Sequence, residues 1–171
     1  MLAAMDTAPP SRIFFAQLRE QVIRPALGLL ELGDGPTVIN LLLGTAAQES
    51  GGRFLRQYPS GPALGFWQIE PTTHRDVLTN FVAFRPDLRA RLAALAVPGT
   101  DRDDQLAWNL RYACAIARLI YLRAPAPLPG TSDPALLGAF WKAHYNTAGG
   151  AGAADEFVRS FSTYIGDPVN V

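Results

Sequence analysis

The sequence predicts an all-α fold with at most a short irregular hairpin. Apolar residues recur at helical spacing along most of the chain, and clusters of proline and glycine separate the helical segments. The chain has 171 residues, of which 49% are apolar and 18% charged, as is typical of one globular domain with a full core. We therefore expect a single domain over residues 1–171, with about seven helices and one irregular insertion that forms a cleft.

Two helices are predicted before residue 52. The first begins with Ser11 as its N-cap and ends at the turn LGDGP, residues 32–36. The second has Pro36 in its first turn and ends at Gly51-Gly52, where glycine can adopt the left-handed conformation that closes a helix. Because this second helix is apolar on nearly all sides, we expect it to be buried at the centre of the domain.

The irregular insertion covers residues 53–71, where Pro59, Gly61, Pro62 and Gly65 interrupt any helical period. Thr73 and Asp76 after it resemble a capping box, which predicts a short helix from Thr73 toward Phe81. Pro86 begins the next predicted helix, which ends before the proline and glycine at residues 98–99.

Three helices are predicted in the C-terminal half. One long buried helix covers about residues 103–122, and a stiff proline-rich connector follows at residues 124–130. Asp133 caps the next helix, which breaks near the sequence TAGGAGA at residues 147–153. The last helix covers about residues 155–164.

Composition excludes several functional classes. The formal net charge is zero, so no basic excess favours nucleic-acid binding. Cys114 is the only cysteine, which excludes an intrachain disulfide, and its place among alanines predicts a small core residue. The two histidines are 70 positions apart and offer no metal-ligand spacing, and no phosphate-binding glycine loop is present. We expect no metal and no cofactor.

The N-terminus and the apolar runs bear on location. The first residues have no basic start followed by an apolar stretch, so we expect no secretory signal and synthesis in the cytoplasm. The apolar runs fall far short of the roughly 18 residues that span a bilayer, so we expect no stable membrane insertion. We also expect a monomer.

Glu49 is the first candidate for catalysis. It lies in the last turn of the predicted central helix, where backbone carbonyls present a partial negative charge. Together with desolvation, that charge would raise the pKa of Glu49 and keep its proton available to a glycosidic oxygen. The alternative is an ordinary solvated glutamate at a helix end.

The residues that follow Glu49 favour a saccharide cleft. Glycines and a proline at residues 61–65 allow close backbone approach, and Phe66, Trp67 and Gln68 would supply flat apolar surface and an amide. Sugar rings, with apolar faces and hydroxyl edges, need that mixture. The alternative is that the two aromatic side chains belong to the core.

Three segments together resemble a known family. They are AQES at residues 47–50, SGPALGFWQIEP at residues 60–71 and HYNTAGG at residues 144–150. In this order they resemble the lysozyme-like superfamily, with soluble lytic transglycosylases and goose-type lysozymes as the most similar groups, phage-encoded members included. The resemblance covers at least residues 36–150.

The resemblance implies a role for each matching position. Glu49 would be the catalytic acid, Gln68 would lie in the cleft floor, and Tyr145 would form a hydrogen bond near Glu49. Asn146 would hold the turn that supports Tyr145. The substrate-binding set implied in this way is Ser50, Ser60, Phe66, Trp67, Gln68, His74, Tyr145 and Asn146. Phe66-Trp67 replaces the family's Leu-Met pair, which changes the expected sugar contacts.

Glu70 is a candidate second carboxylate. Gln68-Ile69-Glu70 and His74 resemble a Gln-Val-Asp segment and a histidine of goose-type lysozymes, in which the aspartate is implicated in positioning the hydrolytic water. An inverting hydrolase needs such a second carboxylate. Alternatively Glu70 is a helix-start residue, and His74 contacts sugar, Glu70 or neither. His144 is expected to be a partly buried helix residue.

The resemblance implies an enzyme that cleaves the β-1,4 bond between N-acetylmuramic acid and N-acetylglucosamine in bacterial peptidoglycan. Hydrolysis, as by a lysozyme, is slightly favoured over a lytic transglycosylase reaction with 1,6-anhydro products. A non-catalytic wall-binding or phage structural protein of the same fold is the third alternative. The expected place of action is the cell wall, as an endolysin or a virion-associated protein.

Overall fold

The computed structural model describes residues 12–146 and 152–169, and their regular structure is helical apart from two isolated bridges. This confirms the all-α fold class. The predicted N-cap Ser11 and most of the predicted break at 147–153 lie outside the described residues.

The first predicted helix is continuous but changes its winding in the middle. It comprises α1 (Arg12–Leu18), a π-helical turn (Arg19–Ile23) and α2 (Arg24–Leu30). Pro25 has no N–H to donate to the carbonyl of Gln21, and Arg111 Nε donates to that oxygen instead at 3.2 Å. The helix ends at Glu31, which adopts a left-handed conformation with a φ of 53°.

The second predicted helix is α3 (Pro36–Ser50), and its expected burial is confirmed. All residues from Val38 to Ala47 are buried, and α3 contacts the three later helices Leu110–Leu122, Pro134–Trp141 and Ala154–Tyr164. Its end at Gly51, with a φ of 59°, is also as predicted. Glu49, in the last turn of α3, is thereby held at the edge of the core.

The helix after the insertion begins two residues earlier than predicted. It is α4 (Pro71–Asn80), and it is followed by a 3₁₀ turn (Val82–Phe84) and α5 (Pro86–Leu95). Glu70 is the N-cap of α4 without a side-chain capping bond, so the predicted Thr73–Asp76 capping box is wrong. A proline at the first helical position already has the φ that a helix requires, and Asp76 bonds with Asn80 and Arg123 instead.

The long helix predicted over residues 103–122 is divided in two. Its parts are α6 (Arg102–Trp108) and α7 (Leu110–Leu122). Asn109 between them leaves the helical conformation with a ψ of 84°, and its side chain accepts a hydrogen bond from Tyr112 N at 3.2 Å. Asparagine competes with the helix in this way because its side chain can cap the backbone. Cys114 of α7 is buried, as predicted.

The C-terminal helices pack against the central one. They are α8 (Pro134–Trp141), a π-helical turn (Lys142–Asn146) and α9 (Ala154–Tyr164). Asp133 caps α8 as predicted, accepting from Ala135 N at 2.9 Å. The packing of α8 on α3 brings the end of α8 to the end of α3.

The irregular insertion lies over the end of α3. It contains the isolated bridges Arg56–Leu64 and Leu64–Ile69, which agree with the predicted short hairpin. Trp67 Nε1 donates to Leu42 O at 3.0 Å, so the insertion is attached to α3 through the core. Within the described ranges, no helix combines the length and the apolar character that crossing a membrane requires.

Candidate active site

A groove opens where the end of α3, the insertion, the start of α4, the end of α7 and the π-helical turn after α8 meet. Its main lobe has a volume of about 560 Å³, and a second lobe of about 320 Å³ adjoins it. Glu49, Gln57, Gln68 and Glu70 line both lobes, so the two form one groove. The main lobe is completed by Ile69, Thr73, Ile120, Arg123, His144, Tyr145 and Asn146.

Glu49 is the partly buried acid of this groove. Trp141 Nε1 donates a hydrogen bond to Glu49 Oε1 at 2.9 Å. Burial raises the pKa of Glu49 from 4.5 to about 7, and the bond from Trp141 offsets part of this effect because it favours the carboxylate. A carboxyl group with this pKa still holds its proton in a large share of the molecules at neutral pH, as a general acid requires.

Trp141 is the functional residue that sequence reasoning missed. It is fully buried at the end of α8, 92 positions from Glu49. A buried indole N–H needs an acceptor, and Glu49 supplies it. In the sequence Trp141 is a tryptophan on the apolar side of a short helix, and this pattern does not indicate which residue accepts the hydrogen bond of its indole. Only the packing of α8 on α3 identifies Glu49 as the acceptor.

Tyr145 and Asn146 line the main lobe together with Glu49, as the resemblance implied. The Tyr145 hydroxyl, however, donates to Trp67 O at 2.7 Å. Burial first, and the negative charge of Glu49 second, raise the pKa of Tyr145 well above its ordinary value. Tyr145 therefore stays a neutral donor that fixes the insertion, and Asn146 accepts from Lys142 Nζ at 2.7 Å.

Gln68 lies at the junction of the two lobes, as expected for the cleft floor. Its φ is 44°, a conformation that non-glycine residues rarely adopt, and its amide donates to Gly65 O at 2.8 Å. Gly65 itself has a φ of 73°, and a Cβ there would lie 2.1 Å from Leu106 O. The tight turn from Gly65 to Gln68 thus places Gln68 in the wall of the groove, where its amide donates to the backbone of Gly65 and Phe54.

Glu70 shares the groove with Glu49. Its exposed side chain lines both lobes, and Glu70 Oε2 accepts from Thr72 Oγ1 at 3.3 Å. It is also the N-cap residue of α4. Glu70 therefore begins a helix, as one alternative predicted, and its role as a second carboxylate stays a prediction.

Arg123 brings a positive charge to the main lobe. It lies just after α7 and forms an ion pair with Asp76 of α4. This pair connects α7 and α4, the two helices that contribute walls of the main lobe. His144 also lines this lobe, and its ring lies 4.5 Å from that of Phe140. It is partly buried, as predicted.

Four of the predicted sugar contacts are buried, and their assignment is corrected. Trp67 is 0% exposed, and Phe66 packs edge-on against Phe14 at 5.5 Å. Both lie in the core, because the tight turn at Gly65 directs the side chains before Gln68 inward. Ser50 is also buried, where its hydroxyl donates to Phe66 O at 2.8 Å. Ser50 therefore fastens the insertion to α3.

His74 is the fourth buried residue. Its Nδ1 lies 2.6 Å from Asp103 Oδ1, and its Nε2 lies 2.8 Å from Tyr112 Oη. Both ring nitrogens thus have protein partners, which excludes the predicted contact of His74 with sugar or Glu70. Burial lowers the pKa of His74, and the Asp103 carboxylate opposes this shift. Ser60 is exposed in the insertion, apart from the residues that line the two lobes.

The aromatic surface of the groove comes from a different pair. Phe54 and Tyr58 line the second lobe, and their rings are stacked with centroids 5.5 Å apart. Tyr58 is 73% exposed. A flat, exposed ring beside Gln68 and Glu70 offers the apolar face and polar edge that a sugar ring matches. The sequence shows both aromatic residues, but nothing in it distinguishes them from Phe66 and Trp67.

Residues 12–146 and 152–169 contain no group of three or more His, Cys, Asp or Glu side chains that could hold a metal ion. Cys114 is buried, and burial raises the pKa of its thiol. Comparison of the chain with protein-family models, with curated proteins and with solved structures gives no match.

Proposed function

We propose that this protein is a glycosidase that cleaves the β-1,4 bond between N-acetylmuramic acid and N-acetylglucosamine in peptidoglycan. The observation that carries the proposal is Glu49, a carboxyl group with a pKa of about 7 at the centre of a groove. Cleavage of a glycosidic bond needs such a proton donor next to the leaving oxygen.

The groove supports a saccharide as the substrate. It has two adjoining lobes, and its lining combines two carboxyl groups, Glu49 and Glu70, and two amides, Gln57 and Gln68, with the exposed ring of Tyr58. The choice of peptidoglycan among saccharides rests on the resemblance of the segments around Glu49, Gln68 and Tyr145 to the lysozyme-like superfamily.

In the proposed reaction Glu49 protonates the leaving oxygen. The donor bond from Trp141 fixes the carboxyl in one orientation and stabilises the carboxylate that remains after proton transfer. Glu70, in the same groove, orients a water molecule and accepts its proton as the water attacks the sugar carbon from the opposite face. The products are then a free reducing end and a released glycan, which is the reaction of a lysozyme.

The second candidate is a lytic transglycosylase. In that reaction the 6-hydroxyl of the sugar attacks in place of water, so a second carboxylate is unnecessary. The position of Glu70 as the N-cap of α4, bonded to Thr72, favours this candidate, because it gives Glu70 a place in the fold without a catalytic role.

Digestion of purified peptidoglycan tests the proposal. We expect the wild-type protein to release muropeptides and Glu49→Gln to release about 10³-fold less, since general acid catalysis contributes up to about 10⁴. Glu31→Gln is the matched control, because Glu31 also ends a helix but is exposed and paired with Arg91. Full release by a folded Glu49→Gln protein would refute the catalytic proposal and favour a wall-binding protein.

Mass spectrometry of the released fragments distinguishes the two reactions. If the reaction is hydrolysis, we expect the wild type to release fragments with reducing ends and Glu70→Gln to release none. Fragments one water lighter, formed equally by the wild type and Glu70→Gln, would identify the transglycosylase.

A further inference from the structure

A second cavity lies on the opposite side of α7 from the groove. It has a volume of about 450 Å³ and is formed by the last turns of α7 and by residues 124–128. None of the residues that line it also lines the groove. Its volume is within the range of small-molecule sites in proteins.

Arg118 is the charged residue of this cavity. It is only 6% exposed, and Nε has no hydrogen-bond partner in the part of the chain that the structure describes. Burial lowers the pKa of Arg118, but an arginine retains its charge. A buried guanidinium whose Nε lacks an acceptor is unfavourable, so its presence on a cavity wall calls for a counter-ion.

The other polar groups nearby have partners of their own. The Tyr121 hydroxyl lies 2.6 Å from Thr45 Oγ1. At the end of α7, the carbonyl oxygens of Leu119 and Tyr121 accept hydrogen bonds from Arg123 N and Ala124 N. The guanidinium of Arg118 is therefore the group that can bind a ligand from this side of α7.

The remaining wall is apolar and limits the kind of anion. Leu122, Ala124 and Leu128 contribute aliphatic surface. Pro125 and Pro127 have no N–H, so Ala126 and Leu128 are the wall residues that could add a backbone donor. A phosphate has at least three acceptor oxygens and up to two negative charges, whereas Arg118 is the one charged residue among the described residues of this wall. A carboxylate fits better, because one guanidinium can donate two parallel N–H bonds to its two oxygens.

We propose that this cavity binds a carboxylate with a short aliphatic body, whose two oxygens pair with the guanidinium of Arg118. The aliphatic part contacts Leu122, Leu128 and the two prolines. Such a group occurs in free organic acids and at the C-terminal residue of peptides with a small side chain. The site is independent of the glycosidase proposal, because it shares no residue with the groove.

Thermal unfolding with butyrate, N-acetylalanine or phosphate, against sodium chloride of equal ionic strength, tests the proposal. Butyrate represents the free acid and N-acetylalanine the peptide terminus. We expect a saturable rise in Tm with at least one of these two carboxylates, and the one that acts at lower concentration identifies the source. Calorimetric titration of the wild type should give the same saturation.

Arg118→Met should abolish the rise and weaken binding at least tenfold. Its Tm without ligand should equal or exceed that of the wild type, since replacing an unpaired buried charge with an apolar side chain removes its desolvation cost. Arg89→Met, at an exposed arginine of α5, should keep the full response. The absence of saturable carboxylate binding to the wild type, tighter binding of phosphate, or an undiminished response of Arg118→Met would each overturn the proposal.

Discussion

Trp141 and Glu49 are joined by a hydrogen bond of 2.9 Å between the ends of two helices that pack together. The indole belongs entirely to the core, whereas the carboxyl faces the groove. Burial of the carboxyl raises its pKa, and the indole limits that rise by donating to the charged form. The pair therefore sets the pH at which Glu49 gives up its proton.

Replacing Trp141 by phenylalanine tests this control. Without the donor bond the pKa of Glu49 should rise above its value of about 7, so that the carboxyl stays protonated to higher pH. The alkaline limb of kcat/KM against pH should move upward by about one pH unit, which corresponds to about 1.4 kcal/mol. The smaller side chain should also lower stability by about 1–3 kcal/mol.

Trp67→Phe is the matched control for this change. Trp67 is equally buried and also donates to α3, but its acceptor is Leu42 O. We expect a similar loss of stability and an unmoved alkaline limb. Equal shifts of the limb in both variants would show that Trp141 acts only through packing.

The stability of Glu49→Gln should depend on pH in a defined direction. The folded-state pKa of Glu49 is about 7 and its ordinary value is 4.5, so the proton is bound more tightly in the folded protein. The wild type has this stabilisation in full below pH 4.5 and loses it as the pH rises through 7. At about 1.4 kcal/mol for each pH unit between the two values, the loss is about 3 kcal/mol.

Urea unfolding at pH 4 and pH 8 measures this effect. Glutamine keeps an acceptor for Trp141 but carries no charge, so the difference in unfolding free energy between variant and wild type should grow in favour of the variant at pH 8. A difference that is the same at both pH values would mean that the pKa of Glu49 is not raised by folding.

The fold could be predicted because its signals are local. Pro36 and Gly51 mark the two ends of α3 within the sequence itself, and the apolar run between them requires burial. The position of Glu49 in the last turn of α3 follows from the same reasoning, since it depends only on where α3 ends. Asn109 shows where local signals fail to predict a helix boundary. An asparagine fits either inside a helix or at its cap, and only the packed structure selects the cap.

The groove was harder to predict because its walls are assembled from distant segments. Phe66 and Tyr58 are both aromatic residues of the insertion, yet one is in the core and the other 73% exposed. The burial of Phe66 follows from the turn at Gly65, which no periodic pattern encodes. Likewise, the bonds of His74 to Asp103 and Tyr112 depend on how α4 meets α6 and α7.

Gly65→Ala should disrupt the groove. A Cβ at this position would lie 2.1 Å from Leu106 O, and the φ of 73° disfavours any side chain. We expect a loss of more than about 3 kcal/mol in the unfolding free energy or failure to fold. Gly28→Ala is the control: nothing lies within 4 Å of its Cβ, and in α2 the change should stabilise by about 0.5–1 kcal/mol. Equal urea midpoints for the two variants would contradict the close approach at Gly65.

Tyr58→Ala should weaken saccharide binding without affecting the fold. The exposed ring stacks on Phe54 in the second lobe, where a sugar ring would bury it. We expect about tenfold weaker binding of a peptidoglycan oligosaccharide, equivalent to about 1.4 kcal/mol, measured by calorimetry in the Glu49→Gln background so that no cleavage occurs. Phe84→Ala removes an aromatic ring that is 76% exposed after α4, so its affinity should be unchanged. If both variants bind with wild-type affinity, the second lobe does not hold the saccharide, and the substrate must lie along the Arg123 side of the main lobe.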